Sequence, residues 1–328
     1  MPARALPCRF QRAPAQDSAG RDAALLVGFA PDGRPSPGLR ALARCLADAG
    51  VSVHVCLAVT TDASVDPAAL PSAATVATRE NDSYDFGIWS AMLDAQPDLW
   101  SARNLIFLND SVLIVNESRF ASCLQEVLAH PADFVAMTEN YRPEHHAQSF
   151  FFRLRGAALS APGIRTFWRE VPAGMGKAEV ITTCEIPFLG VVKADPLLTT
   201  GFLFGYDRIF PGVTDIAPPR NNPTHHLWDR LLLKGMPFIK AELLHRNPLG
   251  VSKGHWRNAV AEAGGDIAMI ERHLAEMKRV RGTPKRAPRP KSTGINWFLL
   301  SVLGPARFRQ VRRWNRTRRK RRKAARRH

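Results

Sequence analysis

RENDSYDFGIWSAMLDAQPDLWSARNLIFLNDSVLIV, residues 79–115, reads as a polar loop, a helix, a buried strand and a second polar loop. The strand, 105–108, is wholly apolar and ends directly on Asn109, Asp110 and Ser111. Ligands of open α/β sheets bind outside the carboxyl ends of the strands. A carboxylate at that edge is therefore placed to face a phosphate or a metal ion. Arg79, Glu80, Asn81 and Asp85 form a second polar cluster, at the end of the preceding strand. Two charged clusters on neighbouring strand ends describe a site for a charged small molecule.

The flanking sequence supplies the rest of a sheet. Residues 23–30 are a short apolar run, followed by the turn signal Pro31-Asp32-Gly33. Ser36 can cap a helix with Pro37 at its first position. Leu39, Leu42, Ala43 and Leu46 then recur at helical spacing as far as Gly50. Residues 51–59 read as a second strand, 75–78 as a weaker third, and 84–95 as a helix. Strand, helix, strand, loop, strand, helix, strand is the order of an α/β fold, a mostly parallel sheet flanked by helices. Further on, 120–130 reads as a helix, 133–138 and 148–154 as strands, 163–170 and 227–234 as helices, and 236–240 as a short strand. There is no internal repeat.

The 328 residues are 45% hydrophobic, ordinary for a globular protein, and carry a formal charge of +17. That charge is unevenly spread. Of 46 Lys and Arg, 20 lie in 278–328, where there is no acid; 26 basic and 29 acidic residues remain in 1–277, a net of −3. The high pI belongs to the tail, and it does not by itself make the body a nucleic-acid binder. Three segments follow: 1–22, rich in Arg, Ala and Pro and expected to be disordered; one domain over 23–277; and a basic linker and tail over 278–328, with a Pro-rich part at 281–291. Five cysteines, Cys8, Cys45, Cys56, Cys123 and Cys184, form no C-x-x-C pair. Cys45, Cys56 and Cys123 read as core thiols, which favours a reducing compartment over a disulfide framework. The amino terminus lacks the apolar core of a secretory signal, and no run approaches the ~18 apolar residues that span a bilayer.

The pattern R-x-N-x-x-x-D-F-G, about twenty residues, then L-N-D-S-V resembles the rhamnan synthesis F family of polysaccharide glycosyltransferases. Gln148-Ser149-Phe150-Phe151-Phe152, Glu185-Ile186 and Pro237-Phe238-Ile239-Lys240 fit the same family. The resemblance runs from Ala23 to Pro248. It implies a GT-A-like fold and transfer of a sugar, often rhamnose, from a nucleotide-diphosphate donor. It also implies a polysaccharide or lipid-linked glycan as acceptor.

With that resemblance the clusters acquire roles. Asn109, Asp110 and Ser111 sit where GT-A enzymes usually carry D-x-D; Asp110 is the metal-ligand candidate, with Mg2+ or Mn2+ bridging the diphosphate. Only one of the three is a carboxylate, and all three residue types also form plain turns. Arg79 is a candidate for phosphate, Asn81 for base or ribose, and Asp85 for a ribose or sugar hydroxyl. Asp82, Ser83 or Asp85 could instead simply cap the following helix. An acceptor hydroxyl needs a general base, for which Glu185 is first choice, Glu139 second and Glu179 third. Lys240 can balance phosphate charge. His225 and His226, adjacent in sequence, cannot share one helical face; Trp228 reads as core or as a sugar-stacking ring.

In the tail, 295–303 is apolar but too short to span, and 307–327 is dense in arginine. An apolar anchor beside a basic run is what attachment to an anionic membrane surface requires. The sequence therefore predicts a cytoplasmic glycosyltransferase, peripheral on the inner face of the membrane. The alternatives are a non-catalytic nucleotide- or glycan-binding protein of the same fold, or a nucleic-acid-associated protein acting through its tail.

Overall fold

A computed structural model describes residues 6–15, 17–60, 63, 65–211 and 222–282. The tail segments 295–303 and 307–327 lie outside the described residues. In chain order the elements begin with β1 (Arg9–Arg12), β2 (Asp22–Phe29), α1 (Pro37–Asp48), β3 (Ser52–Val59), β4 (Thr75–Glu80), α2 (Tyr84–Ala95) and β5 (Asn104–Asn109). There follow β6 (Val112–Ile114), α3 (Glu117–Ala129), β7 (Phe134–Ala136), β8 (Glu139–Asn140), β9 (His146–Ala147) and β10 (Phe151–Arg155). The remaining elements are α4 (Ala157–Ser160), α5 (Pro162–Arg169), α6 (Lys177–Val180), α7 (Ile186–Lys193), β11 (Thr200–Phe202), α8 (Tyr206–Ile209), α9 (Pro223–His226), α10 (Trp228–Leu233), β12 (Phe238–Lys240), α11 (Ala241–His245), α12 (Trp256–Glu262) and α13 (Ile267–Arg281).

The main sheet has eight strands in the order β1-β4-β3-β2-β5-β10-β7-β11. Its middle, β4-β3-β2-β5, is parallel throughout. β2, β3 and β5 are mostly apolar because both faces are covered, as parallel sheets require, whereas β4 is TVATRE; every residue of β5 is buried. One face packs under α1 and α3, around Leu39, Leu42, Leu46, Phe120 and Leu124. The other packs under α2 and α5, where Trp89, Phe107, Phe152 and Trp168 stack, with Phe107 and Phe152 centroids 4.6 Å apart. A third apolar cluster joins β6, β12 and α10 to α13.

The predicted α/β class and helix-flanked sheet are observed. Ser36 caps α1, its Oγ accepting from Leu39 N–H at 3.3 Å, and α2 has its expected bounds. The chain departs from expectation at both ends. Arg9–Arg12, inside the segment expected to be disordered, is an antiparallel edge strand on β4; Arg12 holds it by donating to the Ala74 and Pro71 carbonyls at 2.7 and 2.6 Å. At the other end, helix continues through Arg281, so the basic segment begins inside α13. The sheet also turns antiparallel at β10.

Candidate functional site

β5 delivers Asn109, Asp110 and Ser111 to the carboxyl edge of the sheet, and alternation along a strand turns successive side chains to opposite sides. Asn109 Nδ2 donates to Asp85 Oδ2 at 2.6 Å, while Asn109 Oδ1 accepts from Ser111 N–H at 3.2 Å and Oγ–H at 2.5 Å. Ser111 Oγ in turn accepts from Lys240 Nζ at 2.9 Å. The result is a continuous hydrogen-bonded run, Lys240–Ser111–Asn109–Asp85. Lys240 reaches it because β12 pairs antiparallel with β6, setting Lys240 opposite Val112, and Ala241 N–H closes onto Ser111 O at 3.0 Å. The ammonium also stands 4.4 Å over the ring of buried Phe150.

Glu185 lies near enough to this run for its charge to act on Asp85 and Lys240. It ends a π-helical turn, Ile181–Glu185, in which Ile186 N–H reaches back to Ile181 O. Pro187 explains that turn: it has no N–H to give and its ring crowds the carbonyl four residues back, so the helix widens. Ser149 Oγ donates to Glu185 Oε2 at 2.9 Å, and His146 Nε2 lies 3.9 Å from Oε1. The electrostatics couple the group. Burial first, then the Glu185 charge, pushes Asp85 up from its ordinary range to about 6. Burial pulls Lys240 down to about 8, against the opposing charges of Glu185, Asp85 and Glu242.

Asp110 serves the other side. Its backbone N–H continues the sheet to Val27 O at 2.9 Å, and its Oδ2 accepts from Phe29 N–H at 2.9 Å, pinning the end of β2. It lines a cavity of about 110 Å³ together with Ser111, the cations Arg34, Lys177, Arg246 and Arg281, and the acids Asp32, Glu242 and Glu276. Burial raises its carboxyl above the usual range, an effect moderated by the Arg281 charge.

A divalent cation does not suit the donor set. Asp110 offers one carboxylate with one oxygen already engaged. Asn109 Oδ1 and Ser111 Oγ, the adjacent hard donors, are committed to the run described above. An ammonium adjoins Ser111, and Glu242, which lines the same cavity, is paired with Lys177 Nζ at 3.4 Å. Among the described residues no three His, Cys, Asp or Glu side chains are grouped to hold a metal.

The other sequence candidates separate cleanly. Arg79 does not reach the cluster: its guanidinium is buried, donating to Gly87 O and meeting Asp82 Oδ2 at 3.4 Å. It fastens the end of β4 to the first turns of α2 and cannot also bind phosphate without leaving that socket. Asn81 is exposed beyond β4, away from any bond shown for this run. Asp82 and Ser83 do not cap α2 either. They hold the 172–175 loop, Ser83 Oγ donating to Pro172 O at 2.8 Å and Asp82 Oδ1 accepting from Gly174 N–H at 2.5 Å. Ser83 and Tyr84 take left-handed φ values of 58° and 51° to make this crossing. Gly87 is required there, since a Cβ would stand 2.5 Å from Asp82 O.

Glu139 is spent on structure: it accepts from Tyr141 Oη at 2.9 Å, contacts His145 Nε2 at 2.7 Å and accepts from Tyr206 N–H at 3.1 Å. Glu179 caps its own helix, its Oε2 accepting from Gly176 N–H at 2.8 Å. His225 is buried, its pKa pulled to about 4, and His226 bonds Asn222 O at 3.0 Å. Trp228 is core, donating to Ser252 O at 3.0 Å. His146, Ser149, Lys177 and Arg281 were not singled out from sequence. Ser149 had a signal, its place in Gln148–Phe152, but the other three stand in no motif.

No family model matches this chain. The Virulence protein VirA of Vibrio anguillarum is 28% identical over 197 residues, a match covering 52% of this chain and 62% of that protein, so the chain spans under two thirds of the curated relative's length. Among solved structures, the glycosyltransferase GlyE of Streptococcus pneumoniae superposes with a TM-score of 0.40 at 9% identity, over 82% of this chain and 66% of that one. Glucosyl-3-phosphoglycerate synthase of Mycobacterium tuberculosis, solved with Mn2+, UDP-glucose and phosphoglyceric acid, gives 0.35 at 13% identity, over 72% and 85%.

Proposed function

We propose that this chain is a glycosyltransferase that moves a sugar from a nucleotide-diphosphate donor to a growing cell-surface glycan. The observation that carries the reading is the run Lys240–Ser111–Asn109–Asp85 at the carboxyl edge of the parallel strands, with the Glu185 charge acting on it. A sugar-nucleotide transferase needs a cation for the departing diphosphate, a hydroxyl-binding acid for the donor and a base for the acceptor; Lys240, Asp85 and Glu185 supply one of each. In this scheme the bond from the anomeric carbon to the diphosphate oxygen breaks and the diphosphate keeps the electron pair. The acceptor oxygen bonds to that carbon, and its proton passes to Glu185. Asp110 holds the β2 end that floors the donor pocket. The motif resemblance makes dTDP-rhamnose the first donor to try and a polysaccharide or lipid-linked glycan the first acceptor. The arginine-rich tail would keep the enzyme at the inner membrane face, where such acceptors lie; no described helix is long and apolar enough to cross a membrane.

A second reading, a nucleotide- or glycan-binding protein without turnover, is favoured by the single carboxylate in Asn109-Asp110-Ser111. A panel of dTDP-, UDP- and GDP-sugars, with and without Mn2+, separates the two by release of nucleoside diphosphate. Release from one donor, reduced in Glu185→Gln for transfer but not for donor binding, supports transfer. Binding without release from any donor or to any acceptor tried leaves the second reading, and neither binding nor release defeats both.

A further inference from the structure

Resting on the donor-site reading above, we infer that Lys240 takes the place of the divalent cation, so that the donor diphosphate is held without a metal ion. Four observations carry it. Where D-x-D would present two carboxylates on one side of a strand end, this chain presents Asn109 and Ser111 there, and both side chains are consumed in bonds to each other, to Asp85 and to Lys240. The only acid of the three, Asp110, alternates to the opposite side and spends one oxygen on Phe29 N–H. A single carboxylate can serve a Mg2+ ion when substrate phosphates complete its sphere. At Ser111, however, the neighbouring charge is the Lys240 ammonium.

Lys240 Nζ lies 2.9 Å from Ser111 Oγ, so a divalent ion at Ser111 would meet a positive charge, whereas a diphosphate would be attracted by it. The neighbouring Asp110 cavity is mixed, lined by Arg281 and Lys177 and also by Asp32, Glu242 and Glu276. Lys240 is also anchored as a positioned cation. Its backbone is fixed by β12–β6 pairing and its ammonium stands 4.4 Å over the Phe150 ring. Only one of its three ammonium protons is used by Ser111, which leaves donors for phosphate oxygens. A compact ammonium on a rigid strand is a point charge suited to a leaving diphosphate.

The test is calorimetric titration of the full chain with dTDP, UDP and GDP, in EDTA and again in MnCl2, at about 0.3 M salt so that the tail arginines are screened. Wild type, Lys240→Met and Lys240→Arg are compared, and melting curves establish which variants fold. At least one nucleotide should bind wild type in EDTA with an affinity that Mn2+ improves less than about tenfold. Lys240→Met should weaken that binding about 10- to 100-fold, the loss expected for a charge-assisted contact, and Lys240→Arg should restore part of it. Mn2+ tightening of about tenfold or more, or a folded Lys240→Met that binds as wild type does, overturns the inference and leaves the donor-site reading standing. If no nucleotide binds wild type in either buffer, the donor-site reading itself fails and the inference with it. Should Lys240→Met not fold, the wild-type comparison of EDTA with Mn2+ still decides.

Discussion

Asp85→Asn should stabilise the protein at neutral pH while removing donor binding. Asp85 sits in the first turn of α2, accepting from Asn109 Nδ2 and Phe86 N–H, yet burial and Glu185 raise its pKa from 3.8 to about 6. A rise of that size corresponds to about 3 kcal/mol by which the charged form disfavours the fold, trimmed to about 2 kcal/mol by its partial solvent access. The sign follows from linkage. A carboxyl whose folded pKa is raised carries its full penalty above the folded value and none below the unfolded one, so the penalty grows between pH 3.8 and about 6. Asparagine has no charge to bury but can keep only one of the two hydrogen bonds, losing about 1 kcal/mol. The variant should therefore gain about 1 kcal/mol at pH 8, or some 2–4 °C in melting temperature, and lose about that much at pH 4. Differential scanning fluorimetry across pH 4–8 measures this directly. A variant less stable than wild type by the same amount at every pH would show that Asp85 is held for the fold, and would refute its assignment to a ligand.

Three further outcomes are expected. Glu185→Gln should leave donor affinity unchanged and lower transfer by about 10²- to 10⁴-fold; unchanged transfer, assayed with the accepted donor, removes Glu185 as base. Arg79→Met should lower stability by about 3 kcal/mol and leave the donor dissociation constant of the folded protein alone, whereas a phosphate contact would show the reverse in melting and titration experiments. Removing residues 292–328, which lie outside the described residues, should abolish flotation with anionic vesicles and preserve transfer to a soluble acceptor; equal flotation with neutral and anionic vesicles contradicts an electrostatic anchor.

The parallel core was legible because burial on both faces writes itself as apolar runs punctuated by turn residues: β2 and β5 are nearly continuous apolar stretches, β3 is one interrupted by His54, and Ser36-Pro37 announces α1. The places of Asn109 and Asp110 were legible for the same reason, since polar residues following an apolar strand stand at its end; Asp85 stands instead in the first turn of α2. Lys240 was named from sequence, but its partner was not, because the β12–β6 pairing joins segments 129 residues apart through Lys240 and Ser111, and no local pattern encodes such a distance. Arg79 misled in an instructive way. Its residue type suits phosphate equally with buried carbonyls, and only the left-handed crossing at Ser83 and Tyr84 turns Gly87 O towards it. The strand β1 was missed because an edge strand of Arg, Phe, Gln and Arg has one solvated face and no apolar run. The helices α12 and α13 were missed although α13 carries Ile267, Ile270, Leu274 and Met277 at helical spacing; the basic run that begins at Lys278 drew that end of the chain into the tail.

The most direct measurement is the crystal structure of the full chain with the nucleoside diphosphate of whichever donor it accepts. The account predicts diphosphate oxygens within about 3 Å of Lys240 Nζ, at the carboxyl ends of β2 and β5, with Asp85 and Glu185 facing the position of the sugar. Nucleotide bound elsewhere, or a diphosphate at this edge with Lys240 turned away from it, would contradict it.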